Sequence, residues 1–312
     1  MRIVALAGGV GGAKLVAGLA QVLPVQDLTV IVNTGDDFDH LGLRICPDLD
    51  TVCYTLAGMA NPDTGWGLKD ETWHALESIK KLGGPAWFAL GDYDLGTHLE
   101  RSRRLSSGVP LSTITREFCL QWDVKPVVLP MTDERVATQV LTAAGDVLPF
   151  QEYFVHQRCE PEVRGFRFEG VETCRPAPGV LETLALADLV ILCPSNPWVS
   201  ISPILAVPGI KDAIQRHPTI AVSPIIGGKA VKGPAAKMYA ELGIVPSAKA
   251  VANQYRELLT GFVVDEVDRD QVDEISGWGI ILHVTNTLMS TADDRYRLAR
   301  EMMRFGEALT RR

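Results

Sequence analysis

The sequence predicts an α/β fold, a Rossmann-like parallel sheet core with a helical and β insert. Three observations support this. Short, continuously apolar runs at residues 2–7, 28–32, 188–193 and 219–223 read as strands buried on both faces, the pattern of a parallel sheet. The later runs exit into loops rich in glycine, proline or small polar residues, and open α/β sheets bind ligands outside the carboxyl ends of their strands. A glycine-rich turn, Gly8-Gly9-Val10-Gly11-Gly12, links the first run to a helix expected over 13–23. The expected division is a nucleotide-binding core at about 1–60 and 180–312 and an insert at about 61–179, together one fold unit over 1–312.

Between the second strand and Pro126 the chain reads as mostly helical. Helices are expected over 49–60, 70–82 (with Asp70 as N-cap), 94–105 and 111–122. Runs at 126–130, 136–143 and 147–155 then read as strands, with Gly145-Asp146 as a hairpin turn between the last two. Parallel-sheet logic resumes at 188–193, which stops at Pro194-Ser195-Asn196-Pro197. It continues at 219–223, which runs into Pro224-Ile225-Ile226-Gly227-Gly228-Lys229.

Composition bounds the function. A chain of 312 residues with 46% hydrophobic content buries a large core. A net charge of −8 argues against a nucleic-acid groove, which needs a basic stripe, while leaving room for a local basic pocket. Met1-Arg2 leads straight into the first strand without the regions of a signal peptide, and no apolar run reaches the ~18 residues of a membrane span. Cys46, Cys53, Cys119, Cys159, Cys174 and Cys193 lie far apart without C-x-x-C spacing, which indicates neither zinc nor a disulfide framework. The expectation is a cytoplasmic protein with reduced thiols.

The chemistry concentrates in Asn33-Thr34-Gly35-Asp36-Asp37 and Pro47-Asp48-Leu49-Asp50-Thr51. Asp36 leaves the second strand, and Asp50 lies in the first turn of the helix opened by Pro47-Asp48, where carboxylates gain from the helix dipole. Bare amides at Gly9, Gly11 and Gly12 beside these carboxylates suit a phosphorylated substrate with a divalent cation: amides hold anionic oxygens and carboxylates hold the metal. The glycines are also compatible with a plain tight turn, and Asp48 and Asp50 with simple capping. A P-loop is excluded, because Lys14 follows Ala13 and precedes Leu15. A nicotinamide site is disfavoured, because the second strand ends at Asn33 and not at an acidic residue.

Ser195-Asn196 and Ser223 end two further strands and are expected on the same rim, although Ser-Asn-Pro is equally a turn. Lys229, Lys232 and Lys237 offer positive charge for a diphosphate or are surface lysines. Asp92 is placed to cap a helix carrying His98 and Arg101. Trp66, Trp73 and Trp87 are candidates for stacking on a flat ring or for the core.

Nine motifs occur in order: GGVGGAK, VNTGDD, PDLDTV, GWG, LGDYDLGTH, PMTDE, PSNP, SPIIGGK and GPAAK. Together, from about residue 3 to about residue 290, they resemble the 2-phospho-L-lactate transferase family (CofD/FbiA) of coenzyme F-420 biosynthesis. The resemblance implies Mg²⁺ held by Asp36 and Asp50, which would be the catalytic aspartates. With the residue reading above, it places substrate at Gly9, Gly11, Gly12, Asn33, Asp37, Asp92, Tyr93, His98, Ser195, Asn196, Ser223 and Lys229. The implied donor is the guanosine diphosphate ester of a phospholactyl, phosphoenolpyruvyl or phosphoglyceryl group. The implied acceptor is the ribityl hydroxyl of 7,8-didemethyl-8-hydroxy-5-deazariboflavin (Fo), and GMP is released. A homodimer is expected on the same basis. Tyr93 departs from the pattern, which usually has a basic residue there. The alternative is a nucleotide-sugar-binding regulator resembling the gluconeogenesis factor YvcK. Its shared Asp-Asp loop continues D-D-G-G-S-S-G, whereas this chain reads Asp36-Asp37-Phe38-Asp39-His40.

Overall fold

The computed structural model describes residues 1–311. Seven strands form the central sheet: β1 Ile3–Ala7, β2 Leu28–Val32, β3 Val127–Pro130, β4 Leu189–Leu192, β5 Thr219–Val222, β6 Gly261–Asp265 and β7 Ile281–Thr285. Their order is β7-β6-β5-β4-β1-β2-β3, and every neighbouring pair is parallel. Every residue of β1, β4, β5 and β6 is buried, which is why these runs carry no polar alternation. The chain proceeds outward from β1 to β2 and β3, then returns to β4 on the other side of β1. The crevice at the carboxyl ends of β1 and β4 is therefore the topological switch point, where such sheets bind ligands.

Helix α1, Gly9–Val22, packs on one face between α2, Pro47–Leu56, and a long C-terminal helix, Ala292–Thr310. Gly18 permits the close approach to that helix: a Cβ there would stand 2.2 Å from the Arg295 carbonyl oxygen. The C-terminal helix starts with a capping box, in which Thr291 and Asp294 each accept from the other's backbone N–H. The opposite face is covered by short helices that bury Val180, Ile204, Ile210 and Val251 against β4 and its neighbours.

Several elements differ from the sequence expectations. α1 begins at Gly9 and not at 13, so the glycines form its first turn. The helix expected over 70–82 forms only at His74–Lys81, with Trp73 in the N-cap position. Asp70 adopts φ 59° and caps nothing. The strand expected over 147–155 stops at Pro149, a residue with no N–H to continue a ladder; a wide helical turn, Glu152–His156, follows. Ala137–Thr142 pairs with this short strand and, on its other side, with Val163–Glu169. β3 lies within the expected insert yet completes the central sheet. A small hairpin, Phe38–His40 with Leu43–Ile45, sits between β2 and α2.

Candidate active site

The loops after β1, β2, β4, β5 and β7 surround one cavity of about 630 Å³. Its lining includes Gly9, Gly11, Asp36, Asp50, His98, Ser195, Asn196 and Ser223 from the sequence-based set. Parallel register along β2-β1-β4-β5 makes these exits coincide.

The glycines serve packing as well as access. A Cβ at Gly11 would stand 2.3 Å from the Pro194 carbonyl oxygen, and one at Gly12 would stand 2.5 Å from Ser195 Oγ. At Gly8 it would meet Asp48 Oδ2 at 2.4 Å. Ser195 Oγ donates to Gly8 O at 2.7 Å and accepts from Gly8 N at 3.1 Å, so this hydroxyl pins the exit of β4 to the glycine turn. Ser223 is likewise engaged with Ile225, donating to its carbonyl and accepting from its N–H. Asn196 Oδ1 accepts from Trp198 N. The turn reading of Ser-Asn-Pro therefore holds for Asn196, whereas Ser195 makes a long-range tie to Gly8; all three side chains line the cavity.

One end of the cavity is acidic. Asp48 and Asp50 stand in the first turn of α2, whose Pro47 is pre-set for a helix start. Asn33 is buried; its Nδ2 donates to Asp48 Oδ2 at 2.9 Å and to Val199 O at 3.1 Å, and its Oδ1 accepts from Gly35 N. Asn33 thus orients Asp48 and does not line the cavity. Burial, then the charge of Asp48, pushes the Asp36 carboxyl well above the usual carboxylate range. Burial raises Asp48 too, against donation from Asn33, the Gly9 N–H and Ser200. Asp36 Oδ1 is buried without a hydrogen-bond partner. Two buried like charges and an orphaned carboxylate oxygen are costly unless a cation joins them, so this donor set fits Mg²⁺.

Asp50 is held differently. Arg101 Nη1 donates to Asp50 Oδ2 at 3.0 Å, and Nη2 makes a short contact with Oδ1. Burial works against the Arg101 charge, but Asp50, with smaller contributions from Cys46 and Tyr54, outweighs it and holds the guanidinium pKa well above its ordinary value. Arg101 also donates to His98 Nδ1 at 3.3 Å. His98 Nε2 lies 3.4 Å from Asp94 Oδ1, which accepts from Tyr54 Oη at 2.7 Å. Asp50, Asp94 and His98 offer ligand atoms within 4.8 Å of one another, but the Arg101 cation already neutralises that group.

Aromatic side chains form another part of the wall. Trp87, Phe88, Phe150, Phe154 and Trp66 line the cavity. Trp87 stacks on His156 with ring centroids 5.2 Å apart and meets His40 edge-on. Trp73 is not part of this wall.

Besides Asn33, five expected contacts lie elsewhere. Asp92 accepts from Thr72 Oγ1, His74 N and Ala75 N, so it caps the start of the preceding His74–Lys81 helix, not the helix that carries His98 and Arg101, and it lies outside the cavity lining. Tyr93 is 64% exposed. The N–H groups of Tyr93 and Asp94 donate to Glu71, which closes that helix start to ligand. Asp37 lines a separate hollow with Thr34, Arg44 and Glu134; burial pushes its pKa up to about 8. Lys229 is exposed on the Ile225–Ile226 and Lys229–Ala230 hairpin, and Gly12 is buried beneath Ser195. Conversely, Asp48, Lys14 and Lys232 line the cavity. The sequence signal for Lys14 is its spacing: three and four residues after Gly11 and Val10, it shares their helix face.

Comparison with known proteins identifies the family. A family model described as 2-phospho-L-lactate transferase CofD matches residues 3–276. The chain is 44% identical to a phosphoenolpyruvate transferase of Streptomyces griseus subsp. griseus, over 98% of this chain and 99% of that protein. It is 46% identical to a protein of the same name from Thermobifida fusca, over 87% of this chain and 88% of that one. A crystal structure of a UPF0052-family protein from Bacillus halodurans superposes with a TM-score of 0.64 at 15% identity, covering 97% and 98% of the two chains, a likeness of fold. Among the described residues no helix is long and apolar enough to cross a membrane. A family match over most of the length, around a cavity lined by carboxylates and aromatic rings, means that this chain is a transferase and belongs to the CofD family.

Proposed function

We propose that the protein works in coenzyme F-420 biosynthesis. It would transfer a phosphoenolpyruvyl group from its guanosine diphosphate ester to the ribityl hydroxyl of Fo. The choice among small acids follows the names of the relatives. The hydroxyl oxygen attacks the phosphorus bearing the small acid, the bond from that phosphorus to the GMP oxygen breaks, and the hydroxyl proton is lost. A phosphodiester and GMP result. Phosphoryl transfer is mostly positioning and charge neutralisation, which a rigid switch-point crevice provides without a covalent intermediate.

One observation carries this reading: a single cavity of about 630 Å³ joins the partnerless oxygen of Asp36 to a wall of Trp87, Phe88, Phe150 and Phe154. Its size suits small-molecule substrates. Asp36, with Asp48 beside it, would hold Mg²⁺, while Asp50, paired with Arg101, lines the same cavity. That ion would supply charge neutralisation at the phosphates. Asn33 and Ser200 fix Asp48, Arg101 fixes Asp50, and the aromatic wall suits a flat deazaflavin ring. The same reading includes a homodimer in the cytoplasm. The test is incubation of the purified protein with Mg²⁺, Fo and each of the three guanylated donors, read by mass spectrometry. The expected products are GMP and a phosphoenolpyruvyl-deazaflavin phosphodiester. Folded protein that makes no phosphodiester from any donor overturns the proposal.

A further inference from the structure

The cavity's acidic end has a cationic counterpart. Lys14 and Lys232 are the only lysines or arginines among the described residues that line it. Lys14 extends from α1, about one and a half turns after Gly9, and its Nζ donates to Met289 O at 2.8 Å in the loop after β7. Lys232 Nζ donates to Thr64 O at 2.7 Å. Arg295, on the C-terminal helix packed against α1, keeps a buried Nε with no hydrogen-bond partner.

Among the described residues none of these three cations makes an ion pair, since their nitrogen contacts are to carbonyl oxygens or to nothing. The neighbouring acid Asp294 directs its carboxylate to the Ser290 and Thr291 N–H groups and the Thr291 hydroxyl. Burial first, then the charges of Arg295 and Lys232, pulls the Lys14 pKa below its ordinary value, with Asp294 opposing. Like charges gathered in a partly desolvated place repel unless an anion joins them.

We propose that Lys14, backed by Arg295 and assisted by Lys232, holds the carboxylate of the donor's small acid. This rests on the reading that the donor is a nucleoside diphosphate ester of a phosphorylated carboxylic acid. Such a donor carries two anionic parts. The diphosphate belongs at the Asp36 end, where a divalent cation links phosphate oxygens to carboxylates. A carboxylate is repelled from the aspartates and finds no cation on the aromatic wall, so within this cavity the lysine pole is its place. A lysine supplies a compact point charge with three donors; one stays on Met289 O and the others point to ligand.

The test uses the full-length protein, the variants Lys14→Gln and Lys14→Arg, and two probes in calorimetry, phosphoenolpyruvate and GDP. Glutamine keeps a donor for Met289 O and removes the charge. The expected result in Lys14→Gln is phosphoenolpyruvate binding weakened roughly ten- to a hundredfold, GDP binding changed by less than about twofold, and recovery in Lys14→Arg. Unfolding midpoints of both variants confirm that the fold is intact. Equal loss for GDP would overturn the inference and assign the cations to the diphosphate. Unchanged binding of both probes would make Lys14 a structural tie. A wild-type protein that binds GDP but not phosphoenolpyruvate removes this inference alone; one that binds neither removes the proposed function with it.

Discussion

Arg101 Nη1 stands 3.0 Å from Asp50 Oδ2, its other terminal nitrogen closes on Asp50 Oδ1, and both side chains are buried. The residues are 51 positions apart, so this fork ties the start of α2 to the helix Asp92–Ser106 under the cavity floor. Removing one partner leaves a buried charge uncompensated. Arg101→Met is expected to cost about 3–5 kcal/mol in urea unfolding, and adding Asp50→Asn to recover most of it. A loss below about 1 kcal/mol would show that the pair is exposed in solution.

Asp36→Asn separates metal binding from folding. Wild-type protein is expected to gain stability with Mg²⁺, about 2.7 kcal/mol at a hundred times the dissociation constant, and the variant to gain almost none. Its metal-free stability is expected not to fall, because the change removes a buried carboxylate opposed by Asp48. Thermal unfolding with and without Mg²⁺ reads both effects; a full Mg²⁺ shift in the variant would move the cation elsewhere.

The glycine turn makes a comparative prediction. An added Cβ at Gly11 meets backbone, the Pro194 carbonyl at 2.3 Å, and backbone cannot rotate away. Gly11→Ala is expected to cost about 1–3 kcal/mol and to reduce activity. At Gly9 the nearest atom is 3.5 Å away, leaving only the strain of φ +59°, roughly 1–2 kcal/mol. Denaturation midpoints should therefore rank Gly9→Ala above Gly11→Ala.

His40 gives a pH dependence with a definite sign. It packs against Trp87, Phe38 and Phe88, and burial lowers its pKa from 6.5. Below 6.5 the unfolded chain then binds a proton that the folded chain does not, so this contribution is complete above 6.5 and is lost as pH falls through the lowered value. Wild-type melting temperature is expected to drop more steeply than that of His40→Gln between about pH 7 and about pH 5. Parallel curves would remove His40 from the acid response.

Tyr93→Arg restores the basic residue that the family pattern usually carries. Because Tyr93 is 64% exposed and outside the cavity lining, deazaflavin affinity is expected to change by less than about twofold. A larger change in fluorescence titration would place the acceptor along the Asp92–Ser106 helix.

The sequence by itself determined four strands of the parallel core, β1, β2, β4 and β5, because strands buried on both faces carry their signature within five or so residues. β6 and β7 are not among the expected strands, and β3 falls in the expected insert. Gly261–Asp265 shows the same continuous pattern, whereas Ile281–Thr285, an edge strand that is half-buried, shows little. Local chemistry also placed the start of α2 at Pro47 and the Gly145-Asp146 turn. The ordered motifs brought the family. What only the tertiary structure decided is which polar groups face the cavity. Asp48 and Asp50 look alike in sequence, yet one is neighbour to Asp36 and the other is bound by Arg101. Asp92 and Lys229 looked like site residues, yet one caps a helix and the other lies on an exposed hairpin. These outcomes depend on sheet order and on partners dozens of residues away. A helix or strand is written in neighbouring residues, but the desolvation and charge that make a carboxylate a ligand come from whatever the fold packs around it.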